Sequence, residues 1–225
     1  MKNGLLSYPR SGNHLTRFMI ELLTETPTYG CQTNALDIPI YQNHFKCEIP
    51  FNITNTNTST KTNTNTKNNY YKYHGPIDDK ISNLIFIIRN PREVLLRHND
   101  YKINERSFNT YFDCIDFYLN FKGRKVMFFY EDIVTNRVEF INQLYDFLDI
   151  KITNKLEYVL NNIDFLYEQS KSGEKRKWGG VNSNSVNFYY NNPQMTPENK
   201  EIFDNYLKIK MKNSNYKFLI EKYNL

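Results

Sequence analysis

Three short runs of apolar residues constrain the fold of this chain more than any other feature. They are residues 4–8 (GLLSY), 84–89 (LIFIIR) and 125–131 (KVMFFYE). Strands that are apolar without alternation are typical of a parallel sheet that is covered on both faces. Stretches with helical spacing separate these runs, so strands and helices alternate along the chain. The sequence therefore predicts an α/β fold, with a central parallel sheet flanked by helices on both faces.

Helices are predicted where apolar residues recur at helical spacing or where a helix start is marked. Pro91 and Pro197 each suit the first turn of a helix, and Thr196 is a good N-cap. The predicted helices are 13–25, 91 to about 104, 108–121, 139–148, short helices within 154–169, and 197 to about 212.

One polar, low-complexity segment interrupts this pattern. Residues 51–69 (FNITNTNTSTKTNTNTKNN) contain nothing apolar after Ile53 to bury. Such a segment cannot offset the entropy lost on ordering. We therefore predict a single domain over residues 1–225, with a disordered surface insertion at about 52–69.

The composition excludes several classes of protein. The three cysteines, Cys31, Cys47 and Cys114, show no Cys-x-x-Cys spacing, so neither a disulfide framework nor a zinc site is indicated. No signal-peptide core and no run of roughly 18 apolar residues is present, so we expect a cytoplasmic protein without a membrane anchor. A net charge of +5 favours an anionic ligand but is too mild for a nucleic-acid partner.

The first turn of the chain has the features of a phosphate site. In a parallel α/β sheet, ligands bind at the carboxyl ends of strands, where helix N-termini present unpaired amides. Ser11, Gly12 and the first helical amides can hold a phosphate, and Arg10 adds a positive charge. The spacing is not that of an ordinary nucleotide-binding P-loop. The alternative is a plain strand–helix turn with an exposed arginine.

Residues 7–18 (SYPRSGNHLTRF) resemble the 5'-phosphosulfate-binding loop of the sulfotransferases that use 3'-phosphoadenosine 5'-phosphosulfate (PAPS). Five consecutive positions, 8–12, match the motif. The resemblance implies a P-loop-like three-layer fold and a reaction that needs no metal. His14 and Leu15 depart from it, because the family commonly has threonine and an aromatic residue there. The implied contacts to the phosphosulfate are Arg10, Ser11, Gly12, Asn13 and His14.

Residues 87–101 (IIRNPREVLLRHNDY) resemble the 3'-phosphate-binding segment of the same family. Arg89 matches the phosphate-binding arginine. Arg97 stands where the family usually has serine, and its bidentate donors suit a phosphate. The alternative for Arg89 is an ion pair with a carboxylate such as Glu93 or Glu131.

Residues 71–77 (YKYHGPI) resemble the family's Lys-x-His-x-Pro segment. The resemblance makes His74 the general base, while Lys72 and Arg10 neutralise charge on the transferring group and the leaving phosphate. An unperturbed pKa near 6.5 suits a histidine to accept a proton at neutral pH. A lone histidine in a loop is more often inert, and the flanking motifs favour the catalytic interpretation.

Two later segments complete the resemblance. Residues 128–133 (FFYEDI) are similar to the family's Tyr-Glu-Asp-Leu segment, which implies that Tyr130 lies by the adenine; the alternative is a structural strand tyrosine. Residues 171–180 (KSGEKRKWGG) partly resemble the element that closes over the 3'-phosphate, although the family's second glycine and its aspartate are replaced. The alternative is a solvated basic loop. The implied contacts there are Lys171, Ser172 and Gly173.

These segments occur in the family's order from residue 7 to residue 180. The resemblance implies transfer of the sulfuryl group of PAPS to a hydroxyl or amine, with release of adenosine 3',5'-bisphosphate (PAP). The expected partner is a small-molecule or glycan acceptor. Two alternatives stay open: a catalytically silent protein that binds PAP or another nucleotide, and a kinase on a similar fold. The kinase is disfavoured because the Walker lysine is missing.

Overall fold

A computed structural model of the chain describes residues 2–26, 28–29, 69–77, 80–99, 102–150, 153–172, 190–212 and 214–225. Within these ranges four strands form one sheet with the order β2-β1-β3-β4, and every neighbouring pair is parallel. The strands are β1 (Lys2–Ser7), β2 (Tyr70–Tyr73), β3 (Ile81–Ile88) and β4 (Arg124–Phe129). The predicted central parallel sheet is confirmed.

Helices connect and follow the strands. They are α1 (Asn13–Thr24), α2 (Pro91–His98), α3 (Glu105–Asn120), α4 (Tyr130–Thr135), α5 (Arg137–Leu148), α6 (Thr153–Asn161), α7 (Ile163–Ser172), α8 (Pro197–Lys210) and α9 (Lys217–Tyr223), with a 3-10 turn at Ser214–Tyr216. Thr196 caps α8 as predicted, because its side chain accepts a hydrogen bond from the Asn199 amide.

The strands carry apolar side chains on both faces, and two separate cores result. Ile85 and Ile87 pack in one core with α1, α5, α6 and α7. Phe86 and Ile88 alternate with them and pack in the other core with α2, α3, α8 and α9. Because successive side chains of a strand point to opposite faces, one apolar run serves both cores. The predicted three-layer arrangement, helices on both faces of the sheet, is therefore confirmed.

Some predicted element bounds are wrong. The helix predicted over 91–104 ends at His98, and Asn104 instead caps α3 by accepting a hydrogen bond from the Ser107 amide. The strand predicted over 125–131 ends at Phe129, because the next residues already form α4. Strand β2 was not predicted, since its four residues form a strand only by pairing with β1, far away in sequence.

Several predictions concern residues that are not described. The insertion predicted at about 52–69 lies outside the described residues except for Asn69, which directly precedes β2. Cys31 and Cys47 also lie outside them, whereas Cys114 is a buried free thiol on α3. Of the helices in the described ranges, none combines the length and the apolar character needed to cross a membrane.

Candidate functional site

The carboxyl edge of the sheet gathers most of the predicted site residues. Tyr8 follows β1, His74 follows β2, Arg89 follows β3, and Tyr130 follows β4. Strand pairing continues up to this edge: Leu6 pairs with Tyr73, Ser7 with Ile87, and Ile88 with Phe129. Four segments that are far apart in sequence therefore meet at one edge, which is where ligands bind in open α/β sheets.

The loop between β1 and α1 has an unusual backbone. Arg10 has a φ of 72° and Gly12 a φ of 91°, both in the left-handed region. Glycine adopts this region without penalty, whereas for Arg10 it costs about 1–2 kcal/mol. The N-cap of α1 is Gly12, which has no side chain to accept a hydrogen bond from the first amides of that helix. Strain of this kind is concentrated at functional sites.

Polar atoms without partners are buried in this loop and in the first turn of α1. The Ser11 hydroxyl is fully buried and has no hydrogen-bond partner among the described residues. Asn13 donates from Nδ2 to Ser7 Oγ at 3.0 Å, while its Oδ1 lacks a partner in the same ranges. His14 is half-buried, and Leu15 belongs to the core. Unsatisfied buried polar atoms call for a ligand or a water molecule.

Arg89 is buried at the centre of the edge, with 2% of its surface exposed. Its Nη1 donates to the Arg10 carbonyl at 3.1 Å. Its Nε and Nη2 have no hydrogen-bond partner among the described residues, and no carboxylate there pairs with it. The ion pair with Glu93 or Glu131 that the sequence left open is therefore not formed in the described part. A buried guanidinium with unsatisfied donors is costly, so its surroundings suit an anion.

The Tyr130 ring contacts both Arg89 and the first loop. The Arg89 guanidinium carbon lies 4.3 Å from the ring centroid, which is a cation–π contact. A Cβ placed on Gly12 would lie 2.3 Å from Tyr130 Cδ2, so only a glycine fits against the ring. Tyr130 is the first residue of α4, directly after the end of β4.

His74 is fixed by the end of β1. Its Nδ1 lies 2.8 Å from the Ser7 carbonyl oxygen. A carbonyl only accepts hydrogen bonds, so we assign the proton to Nδ1, which leaves Nε2 as a proton acceptor. Burial, and after it the positive charge of Lys72, lower the pKa of His74 from 6.5 to about 4. The pKa therefore differs from the ordinary value assumed from the sequence, and at neutral pH the ring is uncharged.

Four further predicted donor contacts lie on α2 or at and beyond the end of α7. Arg97 is half-buried in the last turn of α2, about 9 Å along the helix axis from Pro91. Lys171 and Ser172 end α7, but their side chains lie outside the described part of the chain. Gly173 lies outside it entirely. A donor contact at these four positions stays a prediction.

Three residues that the sequence did not assign to the site form hydrogen bonds that hold the backbone around Arg89 in place. The Tyr111 hydroxyl donates to the Arg89 carbonyl at 2.8 Å. Glu131 accepts hydrogen bonds from the Asn90 amide at 3.1 Å and from the Tyr223 hydroxyl at 2.8 Å. These contacts join residues that are 22 to 92 positions apart, and no local sequence pattern signals them.

The arrangement places buried hydrogen-bond donors near a proton acceptor. Buried donors of Arg89 and Ser11 lie at the same sheet edge as the Nε2 atom of His74. No group of three His, Cys, Asp or Glu side chains that could hold a metal ion occurs among the residues that the structure describes.

The fold is similar to that of two solved structures. A mouse sulfotransferase, SULT7A1, in complex with PAP superimposes with a TM-score of 0.59 and 16% sequence identity, over 99% of this chain and 88% of that chain. A retinol dehydratase in complex with androsterone and inactive cofactor PAP gives a TM-score of 0.57 and 13% identity, over 94% of this chain and 81% of that chain. No protein-family model and no curated protein matches the sequence. The chain thus has a sulfotransferase-like fold.

Proposed function

We propose that this protein is a sulfotransferase that moves the sulfuryl group of PAPS to a hydroxyl or amine of an acceptor and releases PAP. The observation that carries the proposal is the buried Arg89, whose Nε and Nη2 lack partners among the described residues at the edge where parallel α/β sheets bind ligands. The sulfotransferase-like fold supports it, since both similar structures contain PAP. Fold alone does not establish activity, so the local chemistry must carry the argument.

The buried donors fit the phosphate groups of PAPS. Arg89 would hold the 3'-phosphate with the two donors that lack partners. Ser11, Gly12, Asn13 and the first amides of α1 would hold the 5'-phosphosulfate, because oriented N–H groups at a helix N-terminus favour an anion. When bound, PAPS supplies the sulfuryl group, and the sulfur–oxygen bond to the 5'-phosphate is the one that breaks.

The adenine contact is proposed for Tyr130. Its ring is half-buried and already stacks on the Arg89 guanidinium, so it lies near the group proposed to hold the 3'-phosphate. Five further contacts to PAPS are proposed from the sequence motifs alone. They are His14, Arg97, Lys171, Ser172 and Gly173.

His74 is the proposed general base. Its Nε2 would take the proton of the acceptor hydroxyl or amine as the new bond to sulfur forms. A pKa near 4 makes a weak base in the ligand-free protein, and the main cause is burial. A multiply charged anion close by favours the protonated ring and would raise this pKa again. Arg10 and Lys72 would balance the negative charge on the leaving phosphate.

The acceptor is proposed to be a small molecule. The retinol dehydratase structure contains androsterone, which supports a small-molecule acceptor for this fold. A glycan acceptor stays open. A panel of phenols, alcohols, amines and glycans should therefore be offered with PAPS, and sulfated products should be identified by mass spectrometry.

The proposal is tested by PAP binding and by transfer. Calorimetry should give micromolar or tighter PAP binding, which Arg89→Gln should weaken by at least about tenfold, since hydrogen bonds to charged groups are worth about 1.5–3 kcal/mol. Arg124→Gln is the matched control. It removes one positive charge from the opposite end of the sheet, where Arg124 donates to the Asp146 carbonyl, and should leave PAP affinity unchanged. Absence of PAP binding by the wild-type protein would refute the donor assignment.

Transfer tests the catalytic residues separately. His74→Ala and Arg10→Ala should each lower kcat on an accepted substrate, and wild-type turnover by His74→Ala would eliminate His74 as the base. The low pKa of His74 favours one competing function, a protein that binds PAP without transferring sulfate. Tight PAP binding with no product across the acceptor panel would support that alternative. Stabilisation by ATP with magnesium, but not by PAP, would favour a kinase.

A further inference from the structure

We infer that Tyr223, on helix α9, is a positioning residue for Arg89 and that it acts through Glu131. The inference rests on the proposed function in so far as Arg89 binds the anionic donor. Its structural part, that Tyr223 holds the Arg89–Asn90 backbone in place, stands on the contacts alone.

Two adjacent residue pairs link the ends of β3 and β4. Ile88 pairs with Phe129 in the sheet, so the next residues, Arg89 and Tyr130, leave it side by side. The Tyr130 ring covers the Arg89 guanidinium with its face. One residue further on, Glu131 Oε1 accepts a hydrogen bond from the Asn90 amide at 3.1 Å. The first two residues of α4 therefore hold Arg89 in two ways. Tyr130 contacts the Arg89 side chain, and Glu131 binds the amide of the next residue, Asn90.

Glu131 is itself held by the C-terminal helix. Its second oxygen, Oε2, accepts a hydrogen bond from the Tyr223 hydroxyl at 2.8 Å. Burial, then the negative charge of Glu131, raise the pKa of Tyr223 well above its ordinary value, so the hydroxyl keeps its proton and remains a donor. Without this donor the carboxylate keeps one anchor and can rotate away from the Asn90 amide.

Two further contacts hold helix α9 against β4 and α4. The Tyr223 ring meets the Phe129 ring edge-on at a centroid distance of 5.9 Å. Lys222 forms an ion pair with Asp132 at 2.6 Å, in the same first turn of α4. Helix α9 thus contacts α4 at consecutive residues, and a shift of either helix reaches Arg89 through Glu131 and Asn90.

The test compares two tyrosines that make the same kind of bond. Tyr223→Phe removes the hydroxyl that reaches Glu131 and keeps the ring against Phe129. Tyr216→Phe removes a hydroxyl that donates to Asp116 at 2.7 Å, in the same C-terminal region but away from Arg89. Both variants lose one tyrosine–carboxylate bond, so denaturation in urea should show similar, small losses of stability.

Hydrogen exchange of the ligand-free protein tests the structural part. Tyr223→Phe should speed exchange of the Asn90 amide by about three- to tenfold, as expected from one lost hydrogen bond. Tyr216→Phe should leave it unchanged. Equal exchange at Asn90 in wild type and Tyr223→Phe overturns the inference, whether or not the protein binds PAP.

PAP affinity tests the positioning role. Tyr223→Phe should weaken PAP binding by about three- to tenfold and raise the KM for PAPS, without changing the KM for the acceptor. In an Arg89→Lys background the effect should shrink below about twofold, because residues that act as a unit are not additive. The positioning role would be overturned if Tyr223→Phe lowered PAP affinity equally in the wild-type and Arg89→Lys backgrounds. It would also be overturned if Tyr216→Phe lowered PAP affinity as much as Tyr223→Phe does. If the wild-type protein does not bind PAP, the proposed function is refuted. The hydrogen-exchange experiment then tests by itself whether Tyr223 holds the Arg89–Asn90 backbone.

Discussion

The contact between Gly12 and Tyr130 predicts that Gly12→Ala will be one of the most damaging small substitutions in this protein. Gly12 has a φ of 91°, and an added Cβ would lie 2.3 Å from Tyr130 Cδ2 and 2.8 Å from Cε2. The left-handed backbone costs alanine about 1–2 kcal/mol, and overpacking a tight contact costs about 1–3 kcal/mol. Alanine has less conformational freedom than glycine in the unfolded chain, which stabilises the folded variant by about 0.5–1 kcal/mol.

The net expected loss in the free energy of unfolding is therefore about 1–4.5 kcal/mol. In a chain of this size that corresponds to a drop in Tm of roughly 2–18 °C. Urea denaturation and thermal melts measure both quantities. Because the displaced Tyr130 ring also covers Arg89, PAP affinity should fall in the same variant.

Two further variants separate the clash from the backbone strain. Tyr130→Ala in the Gly12→Ala background removes the clash, so the two changes should show a coupling of about 1–3 kcal/mol instead of adding. Gly75→Ala is the matched control, since no atom of the described residues lies within 4 Å of its added Cβ. It should stay within about 0.5 kcal/mol of wild type. A Gly12→Ala protein as stable as the Gly75→Ala protein would refute the reasoning.

Two other predictions concern His74 and Arg10. The pKa of His74 is about 4 in the folded protein against 6.5 in the unfolded chain, so the unfolded state binds the extra proton first as the pH falls. Stability should therefore decline from pH 6.5 towards pH 4, by at most about 3 kcal/mol, and His74→Gln should lose this part of the pH dependence in urea titrations at several pH values. Arg10→Gly should be about 1 kcal/mol more stable than Arg10→Ala, because only glycine relieves the left-handed backbone, while both should weaken PAP binding; equal stability would contradict strain at Arg10.

The sheet and its ligand-binding edge could be predicted because their signals are local. The continuous apolar runs around Ile87 and Phe128 predict parallel strands buried on both faces, and the end of each strand then marks the edge where ligands bind. Arg89 could be chosen because it follows such a run and belongs to a recognisable motif, whereas His74 could be chosen from its motif alone.

The support around Arg89 could not be predicted in the same way. Glu131 is 92 residues from Tyr223, and only the folded chain brings the two together. The same holds for β2, whose Lys72 breaks the apolar pattern and whose pairing partner lies 67 residues earlier. The pKa of His74 also depends on burial and on a neighbouring charge, which are properties of the folded structure.

Leu15 lies in the core, so a substitution there should affect the proposed donor binding less than one at Tyr130. The sulfotransferase motif commonly has an aromatic residue at the position of Leu15. In the structure Leu15 is 8% exposed and packs in the core, so it offers no surface for a base. The aromatic ring next to the loop is that of Tyr130, which contacts Gly12 from α4. Because this ring also covers Arg89, a substitution at Tyr130 should weaken the proposed base contact and the proposed phosphate contact together. A substitution at Leu15 should act mainly through stability.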